Sequence, residues 1–497
     1  MNRLFYVDLL LLVLGSTAGY GQVSTDSLKT GSNIYTLKQL IRIARENSIA
    51  SRRAETILEN NYWQFRSYRA GFFPQLSLSG TLPDFNRSVT QVPQNDGTFD
   101  FLPVSQNISE LNLSLSQAIG LTGGEVFLTS NLQRFDNFET DTAYYSGRPV
   151  IVGLRQPIFS YNSLSWARKI EPIRYEESKR EYAENLEQIS VNTSERFFNV
   201  LLAQVSLAIA DKNLANNDTL FQIAQGRYRL GTIAENDLLQ LELQLLKSRQ
   251  DVAQAKVDLE TSTLAIRRYV GLTSGSPMAL ALPEEIPDFI VDEKMALEEA
   301  QQNRQEALAF KRRALEAERD VARARGENGF NADVFATFGL SNRAGDVPGI
   351  YDQPLDQQSV RIGFDIPLID WGRTKAIVQT AEANLKLTQY TVEQDKLNFE
   401  QEIYTQVQQL QLLREQVKVS ALADEIAQKR YEITKNRFLI GKIDITNLNI
   451  ALSEKDNAKR QYIQALRSFW QAYYQMRLLT LYDFEANKSL YSKDGDL

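Results

Sequence analysis

Gly231 and Gly441 stand 210 residues apart in nearly the same setting, and no other feature of this 497-residue sequence limits its fold as strongly. The stretch RYRLGTIAENDLLQ, from Arg227 to Gln240, returns as NRFLIGKIDITNLN, from Asn436 to Asn449. Arg227 falls on Arg437, Tyr228 on Phe438, Ile233 on Ile443 and Leu238 on Leu448. The offset holds upstream too, where Pro157 meets Pro367, Phe159 meets Ile369 and Tyr161 meets Trp371. A register kept from the proline to the glycine reads as one supersecondary unit built twice.

Between proline and glycine the apolar residues fall at three- and four-residue steps: Tyr182, Leu186, Ile189, Thr193, Phe197 and Leu201 in the first copy, Ile403, Val407, Leu410, Arg414 and Val417 in the second. That period predicts helices over about 163–230 and 373–440, each returning after its glycine over about 235–270 and 444–482. Such a helix reaches about 100 Å, a length that only lateral packing stabilises. Pro172 is expected in a first turn or at a kink. Earlier helical segments, about 36–70 and 293–326, align at a longer offset, with Leu37 on Leu297 and Arg53 on Arg313. The first copy therefore carries an insertion, placed between Gly80 and Pro157. The units are bounded as 22–274 and 293–484, with a linker over 275–292 and a tail over 485–497.

Each copy interposes strands between its helices. In SVRIGFDIPL, Val360, Ile362, Phe364, Ile366 and Leu368 alternate with Arg361, Gly363 and Asp365. PVIVGLRQPIF sets Val150, Val152, Leu154 and Ile158 against Gly153 and Arg155, and VFATFGL alternates likewise. The insertion adds SELNLSLSQAI and EVFLTSNLQRF, joined by GLTGG, which predicts an extra hairpin over about 109–135 and four to six strands in all. An apolar face opposite an Arg/Asp/Gly face suits either a sandwich or a barrel with lipid outside and water inside. Phe72, Phe73, Phe159, Tyr161, Phe330 and Trp371 cluster where strands meet helices, as an interfacial aromatic belt would. On the barrel reading Phe159, Tyr161 and Trp371 sit at the membrane interface, while Arg155, Arg361 and Asp365 face the lumen. So few strands cannot close a barrel alone, which calls for several copies in cyclic symmetry.

Composition narrows the chemistry. The opening MNRLFYVDLLLLVLGSTAGYGQ has a basic start, an apolar run and a small-residue exit, and reads as a secretory leader over 1–21. No later run of 18 apolar residues exists, so membrane contact must use strands or a surface face. The chain has no Cys and no His. That removes thiol nucleophiles, imidazole bases, disulfides and the usual zinc sites, and also the cysteine to which an N-terminal lipid attaches. No catalytic, cofactor or metal residues are expected. The net charge of -7 argues against a nucleic-acid partner.

The leader, the doubled order of helix, strands, very long helix, glycine turn and returning helix, and the motif pairs QPIF/IPLIDWGR and RYRLGT/NRFLIGK together resemble the TolC-type outer membrane efflux protein family, over nearly the whole mature chain. The resemblance implies an α+β membrane protein: a homotrimer whose strands share one outer-membrane barrel, continued by a long periplasmic helical barrel built from a tandem repeat. It implies outer-membrane lipid, a periplasmic adaptor and an RND- or ABC-type pump as partners. The two glycine turns become periplasmic tips that gate the channel and dock the adaptor. Tip residues on this view are Arg227, Tyr228, Gly231, Thr232 and Asp237, with Arg437, Phe438, Gly441, Lys442, Asp444, Asn447 and Ile450.

This sequence also departs from the family. Its best-known member carries gating carboxylates six and nine residues after the second tip glycine, where Asn447 and Ile450 stand here. Asp237 keeps the acid expected after the first glycine, but Phe438 replaces the aromatic hydroxyl that would bond it. The expected lock is an apolar constriction at Ile450 or ionic contacts of Arg227, Arg229, Arg437 or Asp444. A plainer account makes Gly231 and Gly441 ordinary C-caps, has Arg227 and Arg437 satisfy last-turn carbonyls, and places Asp237 and Asp444 in first turns. The competing whole-chain readings are an elongated coiled-coil adhesive or structural protein and an enzyme using acidic pairs such as Glu284 and Glu285.

Overall fold

The computed structural model describes residues 33–272, 278–283 and 285–491; the leader and part of the linker lie outside them. Strand β1 (Asn33–Tyr35) leads into α1 (Leu37–Asn47) and α2 (Ile49–Ala70). Four strands follow: β2 (Gln75–Pro93), β3 (Phe99–Ile119), β4 (Gly124–Asn137) and β5 (Thr142–Ile158). Then come α3 (Ser163–Arg229) and α4 (Glu235–Val270). The second half repeats this order with β6 (Met278–Leu280), α5 (Glu293–Asn303), α6 (Gln305–Asn328), β7 (Asn331–Ala344), a single turn α7 (Val347–Ile350), β8 (Leu355–Asp365), α8 (Arg373–Leu439) and α9 (Ile445–Thr480). The pair β9 (Tyr482–Asp483) and β10 (Lys488–Ser489) closes the described chain.

Helices α3 and α8 are 67 residues each, and α4 and α9 are 36 each. Their buried stripes are the ones the periodicity marks: Ile189, Thr193, Phe197 and Leu201 on α3, and Ile403, Val407, Leu410 and Val417 on α8. Arg414 shares that stripe by laying its guanidinium 5.0 Å from the Phe289 ring and donating to the Pro287 carbonyl at 3.2 Å. Pro172 lies inside α3, past the first turn, so the first-turn alternative is excluded; its ring removes the bond to the Arg168 carbonyl.

The early helices break where the periodicity predicts continuity. Ser48 ends α1 in extended backbone and caps α2 by accepting from Ser51 N at 3.1 Å. Arg304 makes the matching break between α5 and α6 but supplies no cap of its own. Glu184 of α3 does so instead, accepting from Gln305 N at 2.8 Å. These breaks align Leu37 with Glu293, not with Leu297. The difference is four residues, about one helical turn, so the apolar pattern could not expose the slip.

The main core lies where these short helices meet the middle of the long ones, around Leu40, Phe197, Phe198, Ile403, Leu466 and Phe469. At its side the buried Glu187 carboxylate takes Arg45 and, at 3.2 Å, Arg477, which also holds Asp483 at 2.6 Å. The described part of the tail belongs to this body: Tyr491 is buried, with the Arg180 guanidinium 5.4 Å from its ring.

Six strands form one antiparallel sheet in the order β2-β3-β4-β5-β7-β8. The inserted hairpin is part of it, with Leu111 opposite Leu132 and Leu115 opposite Leu128. Strand β2 does not stand out in the sequence because its alternation is interrupted between Thr81 and Asp84, where the register shifts. Strand β8 ends at Asp365, leaving Ile366 and Leu368 beyond it rather than on its apolar face. Pro367, which has no N–H to donate, explains the stop.

Candidate functional site

The two long hairpins, α3–α4 and α8–α9, end side by side at the glycine turns, far from the sheet. Each turn closes as a Schellman motif. Gly231 N donates to the Tyr228 carbonyl at 2.8 Å and Thr232 N to the Arg227 carbonyl at 2.9 Å. Gly441 N to Phe438 and Lys442 N to Arg437 repeat both bonds at 2.9 Å. The glycines have φ of 69° and 74°, and a Cβ on either would meet open space. Backbone conformation, not crowding, therefore demands glycine at both.

An apolar cluster ties the tips together: Leu220, Ala224 and Leu241 from the first hairpin, Tyr431, Ile445 and Leu448 from the second, with Phe438 and Ile233 packed against it. Beneath the turns lies a cavity of about 340 Å³ bordered by Arg227, Asp237, Phe438 and Asp444. Arg227 crosses from one hairpin to the other, its Nη2 donating to the Leu439 carbonyl at 3.0 Å. It thus satisfies a last-turn carbonyl, but that of the neighbouring helix. Arg437 is exposed, and among the described residues its guanidinium has no comparable bond. Asp237 sits half-buried in the first turn of α4.

Asp444 is the N-cap of α9 rather than a first-turn residue. Its Oδ1 accepts from Asn447 N and from Asn447 Nδ2, both at 2.9 Å. Asn447 is thereby spent on the cap. Ile450 lies outside the apolar cluster and is 46% exposed. Thr232 Oγ1 returns to the Arg227 carbonyl at 2.9 Å, while Tyr228 and Lys442 face outward.

Just inside the tips is a polar layer that sequence reasoning missed. Asn213 donates to Asp456 at 2.6 Å, Asn217 to Ser248 at 2.7 Å, and Lys455 Nζ stands 3.1 Å from Asp456 and 4.4 Å from the Tyr431 ring. Asn217, Lys455 and Asp456 are buried. Burial pushes the Tyr431 hydroxyl up to about 12, so it stays protonated. The available signal was Asn213, Asn216 and Asn217 inside a helix, where asparagine is a poor former. A buried polar layer of this kind fixes the register of packed helices.

The sheet keeps its two faces apart. Leu76, Leu78, Leu113, Val152, Phe338, Val360, Ile362 and Phe364 share one face and are exposed. Arg155, Arg361 and Asp365 take the opposite parity on the same strands. On that face the Phe127 and Phe335 rings stack at 5.9 Å, with Arg155 and Arg361 5.8 and 6.0 Å from the Phe335 centroid and Glu125 3.8 Å from Arg155. Gly153 makes room, since a Cβ there would collide with the Phe127 ring. At the strand–helix junction Phe159 packs 5.5 Å from Phe330, the Arg323 guanidinium lies 5.3 Å from the Tyr161 ring, and Trp371 is 96% exposed. No helix among the described residues is long and apolar enough to cross a membrane.

Long paired helical hairpins thus carry, at the end opposite their tips, a sheet with one exposed apolar face and one polar face. The family described as Outer membrane efflux protein matches residues 40–272 and 296–480, and the chain belongs to that family. It is 23% identical over 222 residues to the probable outer membrane lipoprotein SilC of Salmonella typhimurium, covering 43% of this chain and 44% of that protein. It is 24% identical over 254 residues to the cation efflux system protein CusC of Escherichia coli, covering 48% and 50%. The matched region thus spans about half the length of these relatives. The same fold is seen in the Campylobacter jejuni CmeC outer membrane channel, with a TM-score of 0.66 at 14% identity over 94% of this chain and 92% of that one. A crystallised CusC shares it as well, with a TM-score of 0.62 at 15% identity over 93% and 95%.

Proposed function

We propose that this protein is the exit duct of a tripartite efflux or type I secretion system, passively conducting what an RND- or ABC-type inner-membrane pump and a periplasmic adaptor deliver. Three copies close their sheets into one outer-membrane barrel, and their doubled helical hairpins continue it as a tunnel through the periplasm. The apolar, exposed face shared by all six strands carries this reading, because a contiguous face of that kind calls for an apolar partner and the outer-membrane family supplies lipid as that partner. The opposite face, with Arg155, Arg361 and Asp365, lines the water-filled lumen. Phe159, Tyr161 and Trp371 sit at the lipid interface.

The tips hold the resting aperture and dock the adaptor. Their lock is the Arg227 bond to Leu439 over the shared apolar cluster, which replaces the carboxylate rings expected from the family. Asn447 is engaged in capping and carries no charge, so divalent and trivalent cations added from the periplasmic side block conductance only weakly. One relative is named for cation efflux; with no Cys, no His and only four Met this chain has few soft ligands for a metal relay, so any metal cargo would be selected by the pump. Purification tests the assembly: threefold particles extracted only by detergent are expected, whereas an elongated monomer soluble without detergent would refute it.

A further inference from the structure

We infer that the outer-membrane barrel has eighteen strands, six from each of three copies, so that its wall is about half as wide again as that of a twelve-stranded barrel. The inference rests on the threefold reading above and adds to it that the inserted β3–β4 hairpin is wall, not a decoration at the rim.

Three independent observations carry it. First, the hydrogen-bonded ladder runs unbroken through the insertion, from Leu76 opposite Leu115, through Leu115 opposite Leu128, to Leu128 opposite Val152. Second, the hairpin presents the same two faces as its neighbours. Leu111, Leu113, Val126 and Leu128 are exposed beside Val150 and Val152, while Asn112, Ser114, Thr129 and Asn131 take the polar side. Third, its turn is bolted to the strand–helix junction. Asn162, which caps α3, donates to the Leu121 carbonyl at 3.1 Å, Gln156 donates to Thr122 O at 3.1 Å, and Gln117 donates to Phe72 O at 2.6 Å. A hairpin stacked at the far rim would have none of these anchors.

Closure is geometrically consistent. The strands alternate in direction from β2 to β8, so β8 of one copy meets β2 of the next antiparallel, and both edges are unpaired within the described chain. With strands about 4.8 Å apart and tilted about 40°, eighteen give a wall about 35 Å across between opposite backbones, against about 24 Å for twelve.

Electron cryomicroscopy of the full chain in detergent should count eighteen wall strands around a threefold tube. A threefold tube with twelve wall strands and residues 109–135 outside the wall would overturn the inference and leave the duct reading standing. A monomer with an open sheet would overturn the threefold assembly and the strand count with it. Because the chain has no Cys, labelling gives a second readout. Cysteines from Leu113→Cys and Leu128→Cys should react with a membrane-soluble maleimide and resist a charged thiosulfonate, while Ser114→Cys and Thr129→Cys should show the reverse. Equal reaction of all four with the charged reagent would overturn it.

Discussion

Arg227 and Arg437 occupy equivalent sequence positions, yet only Arg227 ties one hairpin to the other. The pair should therefore separate by mutation: in planar bilayers Arg227→Ala raises single-channel conductance severalfold, and Arg437→Ala changes it far less. Equal effects would show that the bond to Leu439 is not the lock. Glycine at the turns is a backbone requirement, so Gly231→Ala costs about 1–2 kcal/mol of local stability, seen as faster amide exchange around 228–236 with the rest of the helices unaffected. Glu184 gives a pH prediction. Burial, reinforced by the nearby Glu306 charge, pushes its carboxyl up to about 7, against the opposing Gln305 N–H and Arg304. Between the ordinary carboxylate value and about 7 the folded state holds the extra proton, so this group's contribution to stability falls as pH rises through that window and is flat above it. Thermal unfolding from pH 5 to 8 should show that decline in the wild type and lose much of it in Glu184→Gln.

At the scale of elements, Asp444→Ala removes the cap of α9 and should cost about 1 kcal/mol, fraying its first turn and freeing Asn447. The long helices were legible because their apolar stripes run for many turns, and the hairpin turns because at both of them the left-handed residue is glycine. The breaks at Ser48 and Arg304 were less so. Ser48 resembles any other helix serine, and the cap that compensates Arg304 comes from Glu184, remote in sequence. The same distance hid the Arg227–Leu439 bond and the polar layer around Lys455 and Asp456, which exist only once two hairpins lie together. Strands were readable where alternation was strict and lost in β2, where the register shift after Thr81 reverses the parity of the remaining residues.

For the whole molecule, the sheet and the helical hairpins place an exposed apolar face at one end and, at the other, a pair of tips joined by one apolar cluster and the Arg227 bond. On the proposed reading these tips are the gate, and a contact of a few kcal/mol suffices to shift such a two-state element between closed and open. On the proposed function the protein is a duct that conducts through its own lumen and is throttled at the tips. Single-channel recording of the purified full chain in planar bilayers puts both properties to the test at once. Low-conductance channels are expected from the wild type, with a large, stable increase in Arg227→Ala. Failure of correctly assembled protein to form channels, or wild-type channels already as conductive as the variant, would be incompatible with a tip-gated duct.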